Sequence, residues 1–209
     1  MSSTDARIRT RKAPAERAAE IADAATALAR DQGLSALTQR AVAERAGVAP
    51  ALISHYHPSM DDLVAGAYTA LVVDELGDVA TLLAAERGAS ARFARLLDTL
   101  LDGTREDLTV VWVEGWAMAL RIPALADAVR VQMAAWQRLL VEVIDEGTRA
   151  GEFSVTDVAE VAWQLMGMID GLNAQSLARD TDPGRAVVQM ARAAEALLGA
   201  TPGSLGPAG

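Results

Sequence analysis

The chain contains no cysteine and only two histidines, His55 and His57. The lack of cysteine excludes disulfide bonds and thiolate metal sites, and two histidines two residues apart do not make a zinc or iron centre. No run of about 18 uncharged apolar residues is present, and the basic N-terminus lacks the apolar stretch of a signal peptide. We therefore expect a cytoplasmic protein with no metal or other cofactor and no membrane partner.

A recognisable catalytic set is also missing. The chain has no cysteine nucleophile and no glycine-rich phosphate loop, and its carboxylates are scattered along the sequence. We therefore predict that the protein is not an enzyme.

Charge is divided unevenly along the chain. The whole sequence has a formal net charge of -9, yet residues 1–57 contain more Arg and Lys than Asp and Glu. Residues 58–209 carry the negative excess. The N-terminal part is therefore the part suited to a polyanionic partner such as nucleic acid.

Apolar spacing predicts an all-α protein. The sequence has 209 residues and is 51 % hydrophobic, which is enough to bury a full core. From residue 88 onward no alternating apolar and polar run is long enough for a strand. We predict about nine helices in four segments: a flexible basic arm (1–13), a helix-turn-helix domain (14–57), a larger helical domain (58–200) and a disordered tail (201–209).

The clearest local pattern lies in residues 38–57, which predict two short helices joined at a glycine. Thr38 is a good N-cap because its hydroxyl accepts a hydrogen bond from an unpaired backbone N–H. Gly47 ends the first helix, since glycine adopts the left-handed conformation at no steric cost. A second helix follows from about residue 49 to 56, with Ile53 facing the core. This is a helix-turn-helix outline, although any small α-hairpin has it too.

Residues 46–58, Ala-Gly-Val-Ala-Pro-Ala-Leu-Ile-Ser-His-Tyr-His-Pro, resemble the recognition region of TetR-family transcriptional regulators, and the Ile-Ser-His-Tyr within them is similar to the BetI-like branch. Two positions depart from the family pattern. His57 stands where the family usually has phenylalanine, and Met60 stands where it usually has a lysine that contacts DNA phosphate. Methionine cannot supply that charge.

The resemblance implies that the second short helix lies in the major groove of double-stranded DNA. Two interpretations stay open for the basic arm, which either contacts phosphates or a minor groove, or is a solubilising tail. Arg40 is either a phosphate contact or a solvated side chain, and Tyr56 either contacts DNA or packs on its neighbour. The candidate DNA-binding residues are Thr38, Gln39, Arg40, Ala49, Pro50, Ala51, Ser54, His55, Tyr56 and His57, with Arg7, Arg9, Arg11 and Lys12 in the arm.

A second resemblance covers residues 112–179. A tryptophan-containing helix is followed by Arg-Ile-Pro at 121–123, Gly-Glu-Phe at 151–153 and Ile-Asp-Gly-Leu at 169–172, in the order found in the C-terminal domain of BetI-like regulators. The resemblance implies that this domain binds a small molecule and forms a homodimer through the eighth and ninth helices. Periodicity alone indicates only buried helices.

Trp112 and Trp116 are four residues apart, which places both rings on one side of a helix. Tryptophan and methionine at such spacing more often form plain core than a ligand site. Tryptophan faces near Glu114 or Asp170 would suit an amine effector such as choline through cation–π attraction. The candidate ligand-binding residues are Phe93, Trp112, Trp116, Met133, Trp136, Met166, Asp170 and Asn173.

The resulting hypothesis is a transcriptional regulator that binds a palindromic operator as a homodimer and is released by a small-molecule effector. The family resemblance, rather than any residue, makes it a repressor. The alternative is a ligand-independent architectural DNA-binding protein, which predicts no cavity and no compound that dissociates the DNA complex.

Overall fold

The computed structural model describes residues 13–179 and 182–206. Within these residues it contains nine α-helices, one short 3₁₀ helix at Leu34–Ala36 and no strand, which confirms the predicted all-α class. The α-helices are, in chain order, α1 Pro14–Gln32, α2 Gln39–Ala46, α3 Pro50–Tyr56, α4 Met60–Ala84, α5 Ala89–Leu101, α6 Glu106–Ala119, α7 Pro123–Ala150, α8 Val158–Ser176 and α9 Pro183–Leu198.

Helices α2 and α3 form the predicted helix-turn-helix. The Thr38 hydroxyl accepts a hydrogen bond from the N–H of Ala41 at 3.2 Å and so caps α2. Gly47 closes α2 in the left-handed conformation, with φ 65° and ψ 36°. The N–H of Val48 then donates to the carbonyl of Ala43 at 3.0 Å, which turns the chain toward α3.

Helix α1 supports this pair from behind. Ile21 and Leu34 are fully buried together with Val42 of α2 and Ile53 of α3. Because each helix contributes an apolar side chain to the same core, the orientation of α3 is fixed by packing rather than by the turn alone.

Helix α4 begins shortly after α3 ends and continues for 25 residues. The Ser59 hydroxyl accepts a hydrogen bond from the N–H of Asp62 at 3.0 Å and so caps α4. Buried residues extend from Leu63 to Leu83, and α4 packs against both α1 and α7. A single helix therefore connects α1–α3 to the larger part of the protein.

The α7–α8 connection caps helix α5. Glu152 accepts hydrogen bonds from the backbone N–H groups of Ala89, at 3.0 Å, and Ser90, at 2.8 Å. These bonds, the one from Ser90 first, lower the pKa of the Glu152 carboxyl. The Gly-Glu-Phe segment at 151–153 thus ties the end of α7 to the start of α5.

Two phenylalanines and a glycine fill the space behind this cap. The rings of Phe93 and Phe153 meet edge to face with centroids 6.4 Å apart. Gly147 lies directly under the Phe153 ring, and a Cβ at this position would also lie 2.8 Å from the Cβ of Ala89. The close approach of α7 to this segment therefore requires glycine.

The predicted C-terminal tail is corrected for residues 201–206, which form turns on the protein surface instead of a disordered segment. Leu205 is buried, and its N–H donates to the side chain of Glu195 at 3.0 Å. The free energy gained by burying Leu205 and by its hydrogen bond to Glu195 offsets the conformational entropy that this glycine- and proline-rich segment loses when it is ordered. Asp157 caps α8, because its side chain accepts a hydrogen bond from the N–H of Glu160.

Within residues 13–179 and 182–206, no helix has the combination of length and hydrophobicity needed to cross a bilayer. Nor do these residues bring together three or more histidine, aspartate or glutamate side chains in a cluster that could hold a metal ion.

Candidate nucleic-acid interface and ligand cavity

The outer face of α3 is small and exposed. Ala49, Pro50, Ala51, Ser54 and His55 all lie on the surface. The major groove is wide enough to admit such an α-helix. The first turn of α3 offers methyl groups rather than side chains that form paired hydrogen bonds with a base. Contacts with thymine methyl groups are what such a turn favours.

Polar groups of α2 lie beside this face. The Gln39 amide donates to the Ser54 hydroxyl, which joins the start of α2 to α3. Arg40 is exposed and forms no ion pair within the described part of the chain. An arginine at the N-terminus of a helix, with its guanidinium free, is suited to a phosphate group.

Three predicted or discussed positions face inward instead. The Nε2 atom of His57 lies 3.0 Å from the carbonyl oxygen of Ala18 on α1, so this side chain fastens α3 to α1 and is a poor candidate for DNA contact. Tyr56 is half-buried, packs on the core and meets the His55 ring edge-on at 4.8 Å. Met60 also packs on the core. The predicted arm residues Arg7, Arg9, Arg11 and Lys12 lie outside the described residues.

A cavity of about 470 Å³ opens between α4, α5, α6, α7 and α8. All four tryptophans of the chain line it. The lining residues are Glu75, Leu100, Arg105, Thr109, Trp112, Val113, Trp116, Met133, Ala134, Trp136, Gln137, Trp163, Met166, Gly167, Ile169, Asp170, Asn173 and Ala174. The space is of the size typical for small-molecule sites.

Every predicted ligand residue except Phe93 lies in this lining. Phe93 is fully buried and packs against Phe153, away from the cavity, so this prediction is corrected. The prediction missed Glu75, Arg105 and Trp163. Glu75 had one detectable signal, because it is a carboxylate on the otherwise apolar face of α4.

The acidic groups in and beside the cavity have raised pKa values. Glu75 is only 5 % exposed, and its carboxylate accepts a hydrogen bond from Nε1 of Trp112 at 2.9 Å. Burial raises the pKa of Glu75, and the hydrogen bond from Trp112 opposes this effect. Burial and the nearby Glu75 charge raise the pKa of Asp170 to about 6. Burial also raises the pKa of the Tyr68 hydroxyl, to which both carboxylates contribute.

Aromatic rings surround these carboxylates. The Trp112 ring meets Tyr68 edge-on at 5.5 Å and lies 5.9 Å from Trp116. Neither Glu75 nor Asp170 forms a salt bridge with any described residue. Carboxylates without a cationic partner, in a cavity that tryptophans also line, form an environment that attracts an organic cation.

Helix α6 lines the cavity on one side and contacts α1 and the 3₁₀ segment on the other. While Trp112 and Trp116 face the cavity, Glu114 turns the other way and accepts two hydrogen bonds from Ser35, from its N–H at 3.0 Å and from its hydroxyl at 2.6 Å. The prediction that Glu114 lies beside a ligand is therefore corrected.

The 3₁₀ segment accommodates this carboxylate through a glycine. At Gly33, with φ 84°, a Cβ would lie 2.5 Å from a Glu114 oxygen. A second, exposed contact joins Arg30 of α1 to Asp107 of α6 at 3.6 Å. Helix α6 therefore lines the cavity and also contacts α1 and the 3₁₀ segment.

Comparison with protein families gave two matches along the chain. The family described as BetI-type transcriptional repressor, C-terminal, matches residues 89–199. The family described as bacterial regulatory proteins, tetR family, matches residues 21–67. A comparison with curated proteins found no match.

Several solved structures are similar over most of their length. A TetR transcription regulator from Haloarcula marismortui is 27 % identical, with a TM-score of 0.70 over 88 % of this chain and 97 % of that one. A candidate transcriptional regulator from Saccharomonospora viridis in complex with choline is 24 % identical, with a TM-score of 0.74 over 84 % of this chain and 94 % of that one. The fatty acid degradation regulator FadR from Bacillus halodurans is 18 % identical, with a TM-score of 0.68 over 90 % of this chain and 97 % of that one. At identities this low, the last two support the fold alone.

Proposed function

The chain belongs to the TetR family of DNA-binding transcriptional regulators, with a BetI-type C-terminal domain, and from this premise we propose that it is a repressor released from its operator by a small cationic effector. The observation that carries the proposal is the cavity itself. It is lined by tryptophans and two carboxylates, and one of its walls, α6, also contacts α1 and the 3₁₀ segment. The family description supports repression as the direction of control.

DNA binding on this proposal uses the exposed face of α3 and the start of α2. Residues 14–57 form the DNA-binding domain, with Arg40 on a phosphate and Ala49, Pro50, Ala51, Ser54 and His55 toward the groove. The basic arm adds phosphate contacts before α1. Thr38 and Gln39 act mainly by holding α2 and α3 in place, because their side chains are already used in the cap and in the contact with Ser54.

Arg40→Ala should weaken binding to an operator selected on the purified protein severalfold, because it removes a phosphate contact. Tyr56→Ala should have a similar effect through the loss of support and contact at the end of α3. Affinity is measured by mobility shift at several salt concentrations, and Arg40→Ala should lower the salt slope by about one. Arg87→Ala, which removes an exposed arginine without an ion pair in the described structure, is the matched control. Unchanged affinity in both variants would remove α3 from the role of recognition helix.

Two copies pair through α8 and α9 in this proposal. Helix α8 supports it, because Trp163, which also lines the cavity, and Met168, which does not, are both exposed, and no atom lies near the Cβ position of Gly171. Apolar exposure of this kind is typical of a surface that another molecule covers. The dimer would present two α3 helices to half-sites about one turn, roughly 34–36 Å, apart on DNA.

An amine is the effector class that the cavity favours. Trp112 and Trp116 supply ring faces, while Glu75 and Asp170 supply negative charge without a paired cation. The choline complex of the Saccharomonospora viridis protein supports this class, since that protein shares the fold. A ligand that prefers the form of the dimer unable to span two half-sites lowers operator affinity by the same factor, typically about 1–3 kcal/mol.

Choline should bind more weakly in acid, because choline keeps its charge while Asp170 loses its own. With a pKa of about 6, Asp170 is mostly ionised at neutral pH and mostly protonated at pH 5. Affinity should therefore fall about tenfold from pH 7.5 to pH 5. The titratable groups that interact with Asp170 are Glu75 and Tyr68, and Arg105 shares its cavity lining; these groups adjust the figure, and Glu75 acts in the same direction.

Isothermal titration calorimetry at constant ionic strength measures this dependence. Asp170→Asn should bind choline more weakly at pH 7.5 and show a smaller change between the two pH values. Choline affinity that rises toward acid, or is the same in both proteins at both pH values, would argue against a cation held by these carboxylates.

A ligand-independent architectural protein remains the alternative. It predicts that no compound dissociates the operator complex, whereas the cavity favours an effector. Operator release by choline or another amine in a mobility-shift assay separates the two functions.

A further inference from the structure

We propose that the effector is a zwitterion, with its ammonium group between Trp112, Glu75 and Asp170 and its acidic group on Arg105. This inference rests on the proposed function and specifies the chemistry of the same site. It follows from the positive charge of Arg105, which lines the cavity and which an amine ligand would not pair.

Arg105 is the one cationic side chain in the lining of the cavity, among the residues that the structure describes. It lies at the N-cap of α6, where its backbone carbonyl accepts from the N–H of Thr109 at 3.0 Å. Its guanidinium forms no hydrogen bond or ion pair with any described residue. The Arg105 charge acts on Glu75 and partly offsets the burial that raises the pKa of that carboxyl. Without a hydrogen-bonded partner, however, the half-buried Arg105 guanidinium is suited to a carboxylate, which it binds through two parallel hydrogen bonds.

The negative charge of the cavity comes from Glu75 on α4 and Asp170 on α8. Glu75 is fixed by its hydrogen bond from Trp112, and Asp170 senses the Glu75 charge. Trp112 is seven residues after Arg105, which corresponds to about 10 Å along the helix axis. Since the arginine side chain spans part of this distance, the two binding groups are separated by a few bonds of ligand rather than by direct contact.

Each simpler ligand class meets an unfavourable charge. A plain cation pairs with Glu75 and Asp170 but repels Arg105, whereas a plain anion pairs with Arg105 but faces two carboxylates. A small molecule with both charges satisfies all three side chains. Such complementary and opposing groups are how a site discriminates between ligands of similar size.

The test is isothermal titration calorimetry of the full chain at pH 7.5 with four probes: carnitine and glycine betaine as zwitterions, choline as the cation, and butyrate as the anion. At least one zwitterion should bind tenfold or more tightly than choline, and butyrate should bind most weakly. Arg105→Gln should weaken that zwitterion about tenfold and leave choline unchanged or tighter. Arg105→Lys, which keeps the charge and loses the two-pronged geometry, should fall between. Arg121→Gln, at an exposed arginine outside the cavity, should change nothing.

The outcomes separate this inference from the function on which it rests. Choline binding as tightly as both zwitterions, while it still releases operator DNA, would overturn the zwitterion and leave the cation-responsive repressor intact. Equal losses for all probes in Arg105→Gln and Arg105→Lys would show a structural role for Arg105 and overturn the inference as well. No binding by any probe, or binding without DNA release, would overturn the proposed function together with the inference.

Discussion

Gly147→Ala should lower the free energy of unfolding by about 2–3 kcal/mol, because an added methyl group has no space in the α5–α7 junction. Its Cβ would overlap the Phe153 ring and lie 2.8 Å from the Cβ of Ala89. Phe153 is itself held against Phe93, so the ring has no free rotamer into which to move. The better helix propensity of alanine returns at most about 1 kcal/mol.

Thermal unfolding followed by circular dichroism at a fixed protein concentration measures this effect. For a chain of this size the Tm should fall by roughly 4–10 °C. Gly77→Ala is the matched control, since Gly77 is an exposed helical glycine with no atom near its Cβ position. The control should be neutral or stabilising by up to about 1 kcal/mol. A Gly147→Ala protein as stable as Gly77→Ala would show that α7 can move away from Phe153 at no cost.

Glu114→Ala should disconnect effector binding from DNA binding. The substitution removes both hydrogen bonds to Ser35 and leaves the cavity lining unchanged. The exposed Arg30–Asp107 pair, which contributes little by itself, then remains as the polar contact between α6 and α1. Choline or carnitine should therefore bind with wild-type affinity, while its effect on operator affinity falls from the typical 5–150-fold to less than about threefold.

Operator affinity with and without saturating choline or carnitine, measured by mobility shift, gives this coupling factor directly. Glu106→Ala removes a carboxylate from the same helix that has no partner among the described residues, and its coupling should match the wild type. Calorimetry on the same proteins confirms that effector affinity is unchanged. Full release of Glu114→Ala by the effector would place the coupling on another route, of which α4 is the strongest candidate.

Much of the fold follows from local sequence rules. The helix ends at Thr38, Gly47 and Ser59 behave as their chemistry predicts, because a cap depends on one residue and its immediate neighbours. The failures occur where a distant contact decides. Residues 201–206 look unstructured by composition, yet Leu205 finds a buried position and a partner in Glu195.

The candidate site divides in the same way. Helical spacing places Trp112 and Trp116 on one face, and the structure brings them together at 5.9 Å. Helical spacing shows which side of a helix is buried but not what that side packs against. The sequence therefore places Phe93 at the ligand cavity, whereas it packs against Phe153. Arg105 is missed for a related reason, since it precedes a helix and reaches the cavity only through the tertiary arrangement. His57 is drawn inward by a backbone carbonyl of α1, which no local pattern encodes.

The placement of the tryptophans makes them intrinsic fluorescence probes of the larger part of the protein. All four indoles line the cavity and none lies in α1, α2 or α3, so tryptophan emission reports on the cavity and, through the exposed Trp163, on the outer side of α8. An operator duplex added at the far end, where no tryptophan lies, can alter this emission only by changing the cavity or α8 from a distance. One spectrum with DNA and one without would therefore display the communication between the two ends, before any effector has been identified.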